Sequence, residues 1–62
     1  MKGLGYRQRA ILALMETSPS VRTGYLVRRL DCDPRTVHVA LLGLARRGLV
    51  VHAARGRWVV AA

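Results

Sequence analysis

The sequence predicts an α+β domain of three helices followed by a C-terminal two-stranded β-hairpin. Three observations carry that expectation. Apolar residues recur at helical spacing through residue 47 and then give way to strand-like runs. The stretch "DPRTVHVALLGLARRG", Asp33 to Gly48, holds both a start and a stop signal for a single helix. Two β-branched or aromatic segments, "LVVHA" and "RWVVA", flank an "ARG" turn. The chain has 62 residues, which suits one domain, and its opening Met1 fits a complete small protein.

Residues 1–5, "MKGLG", read as a frayed terminus, because two glycines discourage helix. A first helix is expected over 6–17. At about 100° per residue, Leu4, Ile11, Leu14 and Met15 share one face, while Arg9, Ala13 and Glu16 point away. "TSPS" ends it, since Pro19 lacks an amide proton and biases Ser18 toward extended geometry. "VRT", Val21 to Thr23, is a short link able to pair as a minimal strand. Thr23 is a reasonable N-cap for a second helix over 24–30, with Leu26 and Leu30 inward and Val27 beside them.

The third helix, 34–47, has the clearest signals. The Asp33 carboxylate can accept from free amides of the first turn, and its charge suits the positive end of the helix dipole. Pro34 fits the first helical position, where no amide proton is needed. Gly48 supplies the left-handed residue that commonly ends a helix. Val37, Ala40, Leu41 and Leu44 cluster within about 100° and must face the core. The hairpin is expected over 49–61, with Arg55 and Gly56 at its tip and Trp58 and Val60 pointing inward.

Charge is the strongest compositional fact. Eleven Lys and Arg stand against three Asp and Glu, a net charge of +8, while 52% of residues are hydrophobic. The chain is therefore a folding sequence rather than a basic tail, and a domain this basic usually meets a polyanion, most often nucleic acid. The longest apolar runs, "AILALM" and "VALLGLA", are far short of the roughly 18–20 residues that span a bilayer, so no membrane segment is expected. Cys32 is the only cysteine. It excludes an intramolecular disulfide and fits a reducing, cytoplasmic setting.

The segments "VRTGYLVRRLDCDPRTVHVALLGLARRGLV" and "VHAARGRWVV" together resemble a winged helix-turn-helix domain of the MarR-like or ArsR-like kind. The resemblance runs from about Leu4 to Val60. Leu26, Leu30, Asp33, Thr36, Val37, Leu41, Leu44, Gly48, Leu49 and Val50 fall on matching places. It implies a small protein that binds double-stranded DNA in transcriptional control, with helix 34–47 in the major groove and the hairpin as a basic wing. A small phage-type or accessory regulator is an analogy of the same kind. The ligand domain and long dimerisation helix of larger members find no counterpart, so an effector response would need a homodimer or a partner protein.

On that reading the outer stripe of the third helix is Arg35, Val39, Leu42 and Arg46. Thr36 and His38 flank it and would meet base edges or phosphate, as Arg35 would meet a guanine or a phosphate. Arg28 and Arg29 would grip the backbone from the second helix, and Arg55 and Arg57 would add wing contacts. Arg22 and Arg47 complete the basic surface. The departure is at Val39 and Leu42, where DNA-binding members commonly carry polar residues. Apolar side chains can meet thymine methyl groups. Framed by arginines, they also look like an anchor for a partner protein, and winged helices serve both purposes.

No enzyme is expected. The acids are only Glu16, Asp31 and Asp33, the last already a cap, and no catalytic set can be assembled from them. Cys32, His38 and His52 are too few and too scattered for a structural zinc site, so neither a metal nor a cofactor is expected. Cys32 reads as a packed thiol, His52 as an exposed strand residue and Trp58 as core.

Overall fold

The computed structural model describes residues 4–61. Helix α1 (Tyr6–Met15) leads to strand β1 (Ser20–Arg22), then helices α2 (Thr23–Leu30) and α3 (Pro34–Arg46), then strands β2 (Val50–Ala54) and β3 (Arg57–Val60). The class is α+β, with three helices packed on one three-stranded antiparallel sheet of order β1-β3-β2. Among the described residues no helix is long and apolar enough to cross a membrane.

Leu4 and Gly5, the described part of the expected frayed terminus, both make contacts with the rest of the fold. Residues 1–3 of the expected frayed terminus lie outside the described residues, but Leu4 packs half-buried against the core. Gly5 caps α1, and its amide donates to Gln8 Oε1 at 2.9 Å. At its other end α1 stops at Met15, two residues before the expected limit. The Glu16 amide tightens onto the Ala13 carbonyl at 3.3 Å, and the Thr17 hydroxyl takes the Leu14 carbonyl at 3.4 Å. Both bonds turn the chain out of the helix before Pro19 is reached.

The hairpin is joined by a third strand. β1 pairs with β3 through Ser20↔Val59, Val21↔Trp58 and Arg22↔Arg57, so the "VRT" link pairs, one residue earlier than read. β3 thereby becomes the central strand instead of the edge of a two-stranded ribbon. A hairpin alone is marginal in water, and a third strand buried on one face is the usual remedy. Pairing is continued at both ends by Val60 N–H to Pro19 O and Thr23 N–H to Gly56 O, each at 2.9 Å.

That second bond also changes the start of α2. Thr23 is the first helical residue and Arg22 the cap, without a side-chain capping bond. The Thr23 amide and hydroxyl, at 2.9 and 3.5 Å, both point at the Gly56 carbonyl, so the side chain is spent on the sheet. α2 ends with Asp31 in the left-handed region, φ 54°, and the Cys32 amide reaches back to the Val27 carbonyl at 3.4 Å. This is a Schellman-type ending on a residue that has a Cβ.

α3 follows its signals closely. Asp33 Oδ1 accepts from the Thr36 amide at 2.9 Å, and Pro34 occupies the first position. Gly48 takes φ 75°, and the Leu49 amide closes on the Leu44 carbonyl at 3.0 Å. Val37, Ala40, Leu41 and Leu44 are buried, with Ile11, Met15, Leu26 and Trp58 packed among them. Val60 is the exception. It shares a sheet face with Trp58 but is 41% exposed, because the core ends at Met15 and leaves Val60 at an open rim beside Leu12 and Pro19.

Candidate nucleic-acid interface

The α3 core stripe fixes what the opposite stripe can do. With Val37, Leu41 and Leu44 fully buried, the residues half a turn away must face solvent. Arg35, Val39, Leu42 and Arg46 do so, and all four are exposed. Val39 at 61% and Leu42 at 41% form an apolar centre between two arginines. Thr36 is half-buried beside this stripe, its amide held by Asp33, in a groove that α1 borders with Tyr6, Arg7 and Gln8.

The groove exists because α1 crosses α3 closely. Gln8 Nε2 donates to the Ala40 carbonyl at 3.4 Å, lying over Gly43, where a Cβ would collide with that amide nitrogen. The approach brings Tyr6, 78% exposed, and the exposed Arg7 next to the α3 stripe. Neither residue belongs to the surface that the sequence predicts. Gly43 lying between Leu42 and Leu44 was the one available signal, since glycine inside a helix often marks a close neighbour.

On the other flank of α3, His38 is exposed and stands edge-on to Trp58, with centroids 6.2 Å apart and planes at 70°. His52 stands on β2 opposite Trp58 of β3 and stacks on it at 4.4 Å and 15°. The indole is thus core on one side and covered by imidazole on the other. His38 thus keeps an edge contact with the sheet while remaining exposed.

The arginines divide into free and engaged ones. Arg55 is exposed at the turn, whereas Arg57 sits in the central strand, half-buried, donating from Nη1 to Ser20 Oγ at 3.0 Å. The sequence places the two together at a turn; the structure separates them by role. Arg28 lines a cleft between the start of α2 and the β2–β3 turn, together with Arg22 and Arg55. Arg29 lies over the Tyr25 ring at 5.8 Å. Both α2 arginines occupy the last turn, where positive charge also favours the helix dipole. Three acids can offset three cations at most, so a charge of +8 remains on the surface.

Two pKa shifts follow from local geometry. Hydrogen bonding from Thr36, side chain first and amide second, holds the Asp33 carboxyl below its ordinary range, with Arg7 adding to the effect. The Arg7 guanidinium donates from Nε to Cys32 Sγ at 3.2 Å, which raises its pKa further. The Cys32 thiol itself is half-buried, packs against the core and points to the Leu30 carbonyl at 3.3 Å. Among the described residues no group of three or more His, Cys, Asp or Glu is placed to hold a metal ion. Compared with known protein families, characterised proteins and solved structures, the chain matches none.

Proposed function

We propose that this chain is a minimal winged helix-turn-helix protein that binds duplex DNA in transcriptional control. One observation carries the reading: a capped helix, α3, presents a solvent stripe bounded by Arg35 and Arg46 on a domain of net charge +8. α3 would enter the major groove, with Arg35, Thr36 and His38 at its leading end and Val39 and Leu42 against thymine methyl groups. The β2–β3 hairpin would be the wing, with Arg55 on the backbone, and Arg28 and Arg29 would add phosphate contacts. Fluorescence anisotropy of a labelled random-sequence duplex, titrated at several salt concentrations, tests it. Binding in the micromolar range or tighter near physiological salt, weakening with a slope of several phosphates, supports the reading. A folded protein that fails to bind even at low salt refutes it.

The exposed apolar centre favours a second reading, an interaction module that docks an acidic partner protein. Tyr6, Val39 and Leu42 are each more than one third exposed, and aromatic residues beside arginines are typical of protein anchors. On this reading Val39→Asp abolishes partner binding while the anisotropy experiment gives no signal.

A further inference from the structure

We infer that the cleft between the start of α2 and the β2–β3 turn is a binding site for a compact polyphosphate group, as carried by a nucleoside triphosphate. The cleft has a volume of about 510 Å³, within the range of roughly 300–1,000 Å³ typical of small-molecule sites. Arg22, Arg28 and Arg55 line it, one each from β1, α2 and the turn, and no acidic residue does. Residues far apart in sequence thus place three arginines around one concavity, against the repulsion between like charges. Guanidinium is the group best shaped to hold phosphate oxygens in pairs.

The surroundings suit an anion as well. The Ser20 hydroxyl accepts from Arg57 and so keeps its own proton for another acceptor. Gly24 adds no side chain to the lining, and no atom lies within 4 Å of where its Cβ would stand. The backbone around the cleft is held before any ligand arrives, because the Thr23 amide fastens the turn to α2 through the Gly56 carbonyl at 2.9 Å. Charge matching then selects the ligand. A duplex backbone presents one charge per phosphodiester spread along a ridge, whereas three arginines around a hollow fit three or four charges on one short chain. The assignment goes beyond the DNA reading and does not depend on it.

Isothermal titration calorimetry of the intact protein with inorganic tripolyphosphate, near physiological salt and without nucleic acid, tests the site. One saturable site is expected, with affinity lowered at least tenfold by Arg28→Ala combined with Arg55→Ala. Arg35→Ala combined with Arg46→Ala, which removes the same charge from α3, is expected to change it less than twofold. Thermal unfolding confirms that both variants fold. Adenosine triphosphate serves as a second probe: tighter binding than tripolyphosphate assigns a nucleotide, and equal binding assigns the phosphate chain alone. Equal losses in the two double variants would reduce the effect to diffuse charge and overturn the site. So would the absence of saturation, or binding of a short duplex with none of tripolyphosphate; the last leaves the DNA reading intact.

Discussion

The imidazole of His52 lies flat on the indole of Trp58, 4.4 Å between centroids and 15° between planes. Trp58 is 1% exposed although it belongs to the central strand of a very small sheet, and His52 is part of its lid. Removing the ring opens the indole to water from the β2 side. His52→Ala is expected to destabilise the fold by about 0.5–1.5 kcal/mol, the scale of an aromatic pair, and to shift Trp58 fluorescence to longer wavelength. His52→Phe should restore both. Unchanged fluorescence in the alanine variant would show that the stack contributes no cover.

Gln8 and Gly43 are coupled by a shared space. The Gln8 amide sits where a Gly43 side chain would go, and its two ends hold the Gly5 amide and the Ala40 carbonyl. Alanine in place of an interior helical glycine ordinarily gains about 1 kcal/mol. Here the methyl evicts the Gln8 amide and breaks one or both bonds. Gly43→Ala is therefore expected to gain little or lose stability alone, but to gain about 1 kcal/mol in a Gln8→Ala background. Additive denaturant midpoints across the cycle would dismiss the coupling.

Asp33 links helix capping to pH. Its carboxyl titrates below the ordinary range in the folded chain because Thr36 donates to it, so folding favours the ionised form. That contribution is fully present above the ordinary carboxylate pKa and is lost as pH falls through the lowered, folded-state value. Asp33→Asn keeps an acceptor for the Thr36 amide but does not titrate. The difference in Tm between the two proteins should be constant at neutral pH and shrink or reverse in acid. A difference that does not move with pH would mean that the cap carries no charge dependence.

Asp31 carries backbone strain that a simpler residue would relieve. Its φ of 54° is the only positive value at a non-glycine among the described residues, and a Cβ in that region costs roughly 1–2 kcal/mol. Part of that gain is offset by the greater chain entropy of glycine when unfolded. Asp31→Gly is expected to raise stability by up to about 1 kcal/mol, measured by denaturant unfolding. A loss would show that the carboxylate makes a compensating contact.

The legibility of the sequence tracked how local each determinant is. α3 was readable because Asp33, Pro34 and Gly48 act on neighbours within one turn. β1 was only half readable, since a three-residue strand is stabilised by a partner at positions 57–59. The same distance misled the role of Thr23, whose amide and hydroxyl are taken by Gly56. Val60 has the right parity for the core, but alternation cannot reveal where the covering helix stops. The α3 stripe was legible from spacing. Tyr6 and Arg7 beside it were not, because the α1–α3 crossing is a tertiary fact. The three-arginine cleft is likewise assembled from β1, α2 and the turn.

The placement of Arg55 and Arg57 separates affinity from stability in the DNA reading. Arg55 is exposed at the turn, whereas Arg57 holds Ser20 across the sheet at 3.0 Å. If Arg55 lies on the backbone, Arg55→Ala lowers the salt slope of duplex binding by about 1 with Tm unchanged. Arg57→Ala loses a cross-strand bond as well and is expected to lower Tm. Arg46→Ala should resemble Arg55→Ala, since neither side chain makes a hydrogen bond to another described residue that its removal would break. Val39→Asp supplies the contrast: on α3 in a groove it costs binding through repulsion of phosphates, whereas Val39→Ala costs little except at sites that present a thymine methyl. Anisotropy at three or more salt concentrations measures all five. Unchanged slopes for Arg46→Ala and Arg55→Ala together would remove both α3 and the β2–β3 turn from the proposed DNA interface.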